Sequence, residues 1–546
     1  MQEHQSEVII VGGGIAGIIA AYELIEAGHR VLLIDRDKEK NLGGLAKWAF
    51  GGMFFVDSNL QRKRGIKDSI DLAMKDWWSF AEFDEGEYWG KKWAEQYIHL
   101  CTPHGYDWMR DKGFSFFPAL NWVERGTKER RGNSVARFHM VYGTGWELTY
   151  RMIRLLQQHN KTHLLSYLFE HRVEELLTEN EEVVGVRGQN EATGQPFLAK
   201  AERTIVATGG INGSIEKVKE HWDRKAFGTP PETILNGAHP YAIGDLHQAT
   251  EAIAGHVVNL EKQWNYAAGI HHPNPPFQNH ALSLVPCKSA IWLNYRGERI
   301  GPRPLVTATD TRWLVEQICQ EEKKYSWQVL NKTIALKELA ISGSESNPLM
   351  RDKKFLKFIW QTLVTGNKKL VAQAMREFPD VVVANTMEEL VEKMNDLQGN
   401  QDIKLDRLRD AIRQYDEQVA LGPEATQDWQ LQFIHQVRQF TSDKLRTCNF
   451  QSIMDPKAMP LIAIREFVLS RKSLGGIQTD LEGRVLTRPN ATGKQNPIPN
   501  LYAIGEAAGF GGGGMHGRRS LEGTFLGGCL ITARVAAASI KGKTLM

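Results

Sequence analysis

The apolar and polar positions along the chain divide it into strands that are apolar throughout and helices that are apolar on one side. Val8 to Val11 is an unbroken apolar run, the pattern of a strand buried on both faces. It stops at Gly12, Gly13 and Gly14, and Ile15 to Ala27 then has helical character until Gly28 ends it. Arg30 to Ile34 (RVLLI) predicts a second strand, which ends in Asp35. Gly145 to Leu156 predicts a helix, His163 to Leu168 and Arg172 to Leu177 predict strands, and Glu182 to Gly188 with Phe197 to Lys200 predict a hairpin. Arg203 to Ala207 (RTIVA) is another buried strand, delivering Thr208–Gly209–Gly210. Amphipathic helical stretches then dominate: Phe355 to Leu363, Lys368 to Phe378, and Leu405 to Tyr415. Thr386 to Met394 opens on an N-cap threonine with Glu389 at the capping-box position. Asn500 to Glu506 predicts a short strand, and the residues from Leu521 to about Ala538 a helix of small and apolar side chains.

The first of these patterns already carries chemistry. Gly12, Gly14 and Gly17 have G-x-G-x-x-G spacing: one glycine for the tight turn, one for backbone approach to a pyrophosphate, one for close helix-on-strand packing. The helix that starts at Ile15 and Ala16 offers free N–H groups and a positive dipole end to that pyrophosphate. Asp35 closes the second strand, where a carboxylate takes ribose hydroxyls, and Arg36 beside it suits a 2′-phosphate or a plain exposed position. This stretch predicts a dinucleotide site and leaves FAD and NAD both open. The paired glycines Gly43–Gly44 and Gly51–Gly52, on either side of Leu45 and Ala46, suit close approach to a flat ligand or a surface turn. Asp68 to Trp122 is helical and dense in tryptophan and phenylalanine; core packing is the expectation, with a substrate wall or a docking face as the functional alternatives.

Composition narrows the class. The chain has 546 residues, 42% hydrophobic and 24% charged, with no apolar run long enough to span a bilayer and nothing resembling a signal peptide. A cytoplasmic protein without an integral membrane segment is expected. A net charge of +3 argues against a nucleic-acid partner. The basic run Lys128 to Arg131 reads as a solvated loop. Five cysteines occur without any C-x-x-C, so a redox disulfide, a zinc ribbon and an iron–sulfur cluster lack their spacing. Neither His159 with His163 nor His271 with His272 brings a third ligand, and no metal is expected. G-x-S-x-G is absent, which removes a serine-hydrolase reading.

Taken together, these motifs resemble those of the FAD-dependent oxidoreductases of the succinate dehydrogenase/fumarate reductase flavoprotein type, nearest the ketosteroid-dehydrogenase-like FAD-binding dehydrogenases. Gly244–Asp245 opens GDLHQATEAIAG where that family has G-D-G-x-x-M-A-x-x-x-G, with Leu246 in place of the third glycine. Gly475 to Asp480 (GGIQTD) is similar to its G-G-[LI]-x-T-[DN], and Gly505–Glu506 to the G-E motif whose acid binds the ribityl chain. The resemblance implies an α/β fold: a Rossmann-type FAD-binding domain with β-meander and an inserted α+β capping domain. The FAD-binding domain would comprise residues 1–265 and 456–546, and the capping domain 266–455. A chain that leaves one domain and returns makes the cleft between them the natural substrate site. FAD contacts are implied for Gly12, Gly14, Ile15, Ala16, Gly17, Asp35, Arg36, Gly43, Gly44, Leu45, Ala46, Gly51 and Gly52. Val173, Thr208, Gly209, Gly210, Asp245, Gly505, Glu506, Leu521, Gly523, Thr524 and Phe525 complete the implied set. Leu45 stands where membrane-bound members carry the histidine that tethers FAD, so noncovalent FAD is expected.

Phe510 to Gly528 (FGGGGMHGRRSLEGTFLGG) is the candidate chemistry-bearing loop. Four consecutive glycines stabilise neither helix nor strand, and close approach to something flat is their expected use. A helix N-terminus near Gly523 to Phe525, aimed at the flavin pyrimidine edge, would stabilise the charge that forms there on reduction. His516 and Arg519 are the candidates to hydrogen-bond a substrate carbonyl; pinning the loop is their alternative use. Lys288 loosely matches the cap arginine that serves as proton donor in fumarate reductases. The family's H-G-x-N-R-L-G-G-N is only partly kept, since Arg519 falls one place early and Ser520 takes the arginine's position. The tyrosine that ketosteroid Δ1-dehydrogenases carry here is missing. The expectation is a flavoenzyme transferring a hydride between flavin N5 and a carbon adjacent to a carbonyl of an apolar, ketosteroid-like substrate, with an unidentified electron partner. A fumarate reductase-like enzyme on a small dicarboxylate and a non-catalytic FAD-binding electron carrier are the alternatives.

Overall fold

The computed structural model describes residues 2–126, 130–301 and 309–545, so Lys128 and Glu129 of the basic run lie outside the described residues. The chain forms two compact units. The first comprises Met1–Trp222, Ala238–Trp264 and Arg471–Met546; the second comprises Asp223–Gly237 and Asn265–Ser470.

The first unit is built on a mostly parallel sheet. Strand β1 (Gln2–Val11) pairs with β2 (Val31–Ile34) in the register Val8↔Val31 to Val11↔Ile34, and helix α1 (Ile15–Ala27) connects them. Val8 to Val11 are buried, as a central strand covered on both faces requires. Gly28, at φ +98°, closes α1 in the left-handed conformation and its N–H donates to the Ile25 carbonyl. After the aromatic stretch, which folds chiefly as α2 (Ile70–Phe80) and α3 (Trp89–Leu100), come β3 (Pro196–Val206) and β4 (Pro497–Ala503). The strand order is Arg484–Leu486, β4, β3, β1, β2, Leu165–Leu168. The chain ends in α4 (Thr524–Ile540), which is buried along most of its length.

Strand β3 differs from the expected pair of strands. Phe197–Lys200 and Arg203–Ala207 belong to one continuous strand, because no turn residue interrupts Ala201–Glu202. On one edge it pairs parallel with β1 along its whole length, Gln2↔Phe197 to Val11↔Val206; on the other, its first half pairs with Glu182–Asn190 and so completes a meander with His171–Glu179, and its second half pairs with β4, Leu501↔Thr204 to Ala503↔Val206.

The second unit is organised by a sheet ordered Ile291–Leu293, Tyr325–Asn331, Leu461–Ser473, Gln263–His271, Ala281–Val285, Ala340–Ile341. Helices occupy the expected amphipathic stretches: Phe355–Trp360, Lys368–Glu377, Met387–Gln398 and Leu405–Leu421. The Thr386 hydroxyl accepts from the Glu389 N–H as predicted, while the Glu389 carboxylate reaches back one residue further, to the Asn385 N–H. Among the described residues no helix is long and apolar enough to cross a membrane, and no three His, Cys, Asp or Glu side chains are grouped to hold a metal ion.

Candidate functional site

Glycines from distant parts of the chain converge at the carboxyl ends of β1 and β3. A Cβ on Gly12 (φ +111°) would lie 2.4 Å from the Ala207 carbonyl oxygen, and one on Gly17 would lie 2.0 Å from the Gly12 oxygen. Both are therefore glycine for reasons internal to the protein. Gly14 is different. Its φ of −70° suits any residue, and a Cβ there would meet nothing within 4 Å. It caps α1 without any side-chain hydrogen bond, and the first turn of α1 holds no acidic residue. An open, uncapped helix N-terminus of this kind fits a pyrophosphate. Gly43 binds alongside, its N–H donating to the Gly13 carbonyl at 2.8 Å, and Gly44 faces the Gly14 Cα. The carboxyl-terminal part of the chain arrives at the same place. A Cβ on Gly505 would be 3.0 Å from the Ala16 methyl, and the Gly523 carbonyl accepts from the Phe54 N–H, next to Gly52.

Asp35 is held rigidly, accepting from the Gly13 N–H at 2.5 Å and the Asp37 N–H at 2.7 Å, and burial raises its pKa. Arg36 turns to protein: it binds Glu191 at 2.8 Å and Asp245 at 3.4 Å, and stacks over Tyr241. Asp245 is engaged in turn by two nitrogens of Arg172, at 2.9 and 3.1 Å. Val173, in the meander, is part of the hydrophobic core beside β1. Gly51 carries φ +85° against Thr144 and Gly145; Leu45 and Ala46 form a short turn of helix that continues from Gly44. Gly210 lies beside Glu506, whose Oε1 accepts from the Ser473 N–H at 2.9 Å. Burial pushes Glu506 up to about 7.

The loop Phe510 to Gly528 is buried, and tryptophans hold it. Trp77 donates to the Met515 carbonyl (3.1 Å) and Trp264 to Glu522 (2.8 Å), while Trp93 packs on the loop and donates outside it, to the Asp480 carbonyl (2.8 Å). The flat group that the glycine run meets is the Trp93 indole: a Cβ on Gly511 would stand 2.6 Å from it, and Gly512 and Gly514 abut Trp89 and Gly90. The aromatic stretch is thus core packing with a purpose, since Trp77 and Trp93 are both buried and both fix the loop backbone.

His516 is fully buried, stacked 6.0 Å from Trp77 and edge-on to Phe510. Burial and the nearby Lys472 charge depress its pKa to about 3, so it is neutral. Its Nε2 meets the Thr524 hydroxyl at 2.8 Å, and that hydroxyl already donates to the Leu521 carbonyl at 2.7 Å. The network therefore assigns the proton to Nε2 and leaves Nδ1, which has no partner among the described residues, as an acceptor. Arg519 binds Glu82 at 2.9 Å, and Arg518 binds Asp84 at 3.0 Å; both backbone N–H groups donate to the Ala81 carbonyl. These arginines fasten the loop to the end of α2. Lys288 lies in the second unit, 3.4 Å from Asp443.

Two groups went unnoticed in the sequence. Lys472 sits 4.1 Å over the Phe525 ring, and burial lowers its amine to about 8. Ser473 ties the Gly210 turn to Glu506, its hydroxyl accepting from the Ile211 N–H. The available signal was Arg471–Lys472 inside a buried strand: alternate residues point to opposite faces, so one of two adjacent cations has to face the interior.

The comparisons agree with this architecture. The chain is 37% identical over 548 residues to a KsdD-like steroid dehydrogenase of Mycobacterium tuberculosis, covering 97% of this chain and 95% of that one. The structure of 3-ketosteroid delta1-dehydrogenase from Sterolibacterium denitrificans superimposes with a TM-score of 0.66 at 16% identity, covering 99% of this chain and all of that one. A flavocytochrome c3 fumarate reductase gives the same TM-score at 17% identity, covering 98% of this chain and 78% of that one. Residues 7–526 match the family model described as an FAD binding domain, and the chain belongs to that family.

Proposed function

We propose that the protein is an FAD-dependent dehydrogenase that acts on a carbon–carbon bond beside a carbonyl in an apolar, ketosteroid-like substrate. The observation that carries this reading is the 37% identity to a KsdD-like steroid dehydrogenase across 97% of the chain. FAD, when bound, supplies the two-electron centre that exchanges a hydride with the substrate carbon. Gly14 and the first turn of α1 would hold its pyrophosphate, Asp35 its ribose, and Glu506 with the Gly209–Gly210 turn its ribityl side. Nothing in this set requires a covalent tether, and Leu45 is not a nucleophile or a histidine.

The protein's own groups then set the electrostatics. Lys472 and the N-terminus of α4 place positive potential beside Phe525, which favours negative charge developing nearby. Lys472, at about 8, is also able to exchange a proton near neutral pH. His516 presents an unprotonated Nδ1, so it accepts a hydrogen bond from whatever ligand atom it meets.

The test is anaerobic. Purified holoprotein is mixed with saturated and singly unsaturated 3-ketosteroids, and dithionite-reduced protein with 1,4-androstadiene-3,17-dione, enones or fumarate, while flavin absorbance is followed. Ketosteroids are expected to bleach or restore the flavin with turnover, and acid precipitation to release FAD into the supernatant. Reoxidation by fumarate alone would overturn the substrate class; flavin retained on the denatured chain would overturn noncovalent binding.

A further inference from the structure

The stretch Phe355 to Thr365 is poorly accounted for by packing. Its helix, Phe355–Trp360, and the wide turn Gln361–Thr365 that continues it contain no buried residue, although FLKFIWQTLVT is mostly apolar. Leu356 is 82% exposed, Trp360 62%, Leu363 59% and Val364 60%. Positions 356, 360, 363 and 364 are spaced i, i+4, i+7 and i+8, so these four side chains share one face. The segment is nevertheless anchored: Thr362 donates to the Phe358 carbonyl, Gly366 N–H to the Gln361 carbonyl, and Asn367 N–H to the Leu336 carbonyl. It is an ordered helix that presents its apolar side outward.

The surrounding charge is one-sided. Between Arg351 and Lys369 there are six cations (Arg351, Lys353, Lys354, Lys357, Lys368, Lys369) and one acid, Asp352, a local balance of +5 in a chain whose total is +3. Asp352 is taken by Arg351 at 2.8 Å and Lys354 at 3.6 Å. Lys357, Lys368 and Lys369 are exposed. A lysine-flanked helix with tryptophan and leucine on its outer face has the composition of one that lies in the plane of a membrane interface.

We propose that this face docks on a lipid bilayer bearing anionic headgroups, with Leu356, Trp360, Leu363 and Val364 entering the acyl boundary and the lysines meeting the headgroups. Charge complementarity selects this occupant. A second copy of the chain set face to face would bring the two clusters of cations together, whereas an anionic surface neutralises each of them. The inference does not rest on the substrate proposed above, because docking needs no turnover.

The test is flotation of the holoprotein with vesicles of phosphatidylcholine alone or with about one third phosphatidylglycerol. Wild type is expected to float with the anionic vesicles and about tenfold less, or lower still, with the neutral ones, since each cation near such a surface is worth roughly a fivefold change. Leu356→Ser/Trp360→Ser/Leu363→Ser should cut flotation at least about tenfold while the flavin spectrum and melting temperature stay at wild-type values. Lys357→Glu/Lys368→Glu/Lys369→Glu should abolish the preference for anionic lipid. Wild type that stays in the dense fraction with both vesicles overturns the proposal, as does a serine variant that floats equally well. A dimer that the serine substitutions dissociate, in a protein that does not float, would assign the face to a second copy instead.

Discussion

Gly14→Ala separates the glycine that the fold needs from the glycine that the cofactor needs. An alanine at position 14 meets no atom within 4 Å and keeps an allowed φ of −70°. Its effect on the apoprotein is the difference of two small terms. Alanine is a poorer N-cap than glycine by roughly 0.5–1 kcal/mol, and it gains about 0.4–1 kcal/mol by restricting the unfolded chain. The apoprotein should therefore keep its stability to within about 1 kcal/mol. A pyrophosphate seated against the first turn of α1 would be pushed away by the new methyl. Losing one charge-assisted hydrogen bond costs about 1.5–3 kcal/mol, which is roughly a 10- to 150-fold weaker FAD affinity.

Gly12→Ala is the control. There the methyl would stand 2.4 Å from the Ala207 oxygen at φ +111°. Left-handed strain of about 1–2 kcal/mol and overpacking of about 1–3 kcal/mol should destabilise the apoprotein itself. The assay is urea unfolding of both apoproteins together with FAD titration followed by flavin fluorescence. If Gly14→Ala binds FAD as tightly as wild type, or loses apoprotein stability as Gly12→Ala does, the pyrophosphate is not at this helix.

Two further predictions concern buried charge. Glu506 is raised from 4.5 to about 7, so its contribution to stability is complete below pH 4.5 and disappears as pH rises through 7. Apoprotein Glu506→Gln, compared with wild type by urea unfolding, should gain relative stability of about 2–3 kcal/mol between pH 5 and pH 8; a difference that does not vary with pH removes the assignment. Arg137 is buried and bridges Asp68 (2.7 Å) and Asp76 (2.6 Å) under the aromatic stretch. Arg137→Met strands two carboxylates and should cost about 3–5 kcal/mol in the same measurement, while a loss below about 1 kcal/mol would mean that they find other partners.

The frame of the first unit was legible because its signals are local. An apolar run that ends in glycines, a helix closed by Gly28, and an acid at the end of the next strand each state their own geometry. The meander was legible as strands but not as one continuous β3, because a strand that exchanges one edge partner for another within a single sheet leaves no mark where the exchange occurs. Leu405–Leu421 was found by periodicity and Thr524–Ile540 by its small and apolar side chains, and both run further at the carboxyl end than the pattern specified.

The candidate site was less legible, and for one physical reason: a charged side chain does not announce its partner in the sequence. Asp245 was read as facing a ligand, Arg36 as facing one or simply exposed, and Arg519 as facing one or pinning the loop; each has a protein counter-charge in Arg172, Glu191 or Glu82. Those partners lie far away along the chain, or sit on a turn with no pattern of its own. The four glycines were read as touching something flat; Gly511 and Gly512 pack on Trp93, which comes from the aromatic stretch read as core packing. The two observations explain each other. A loop without side chains cannot hold its own shape, so it is shaped by the Trp93 indole that packs against its backbone, by the Trp77 indole that donates to its Met515 carbonyl, and by arginines that clamp its far end to Ala81–Asp84. Rigidity borrowed in this way holds the ring of His516 fixed beside Thr524, its Nδ1 without a partner among the described residues. The shape of the loop accordingly depends on α2 and α3 as much as on its own residues.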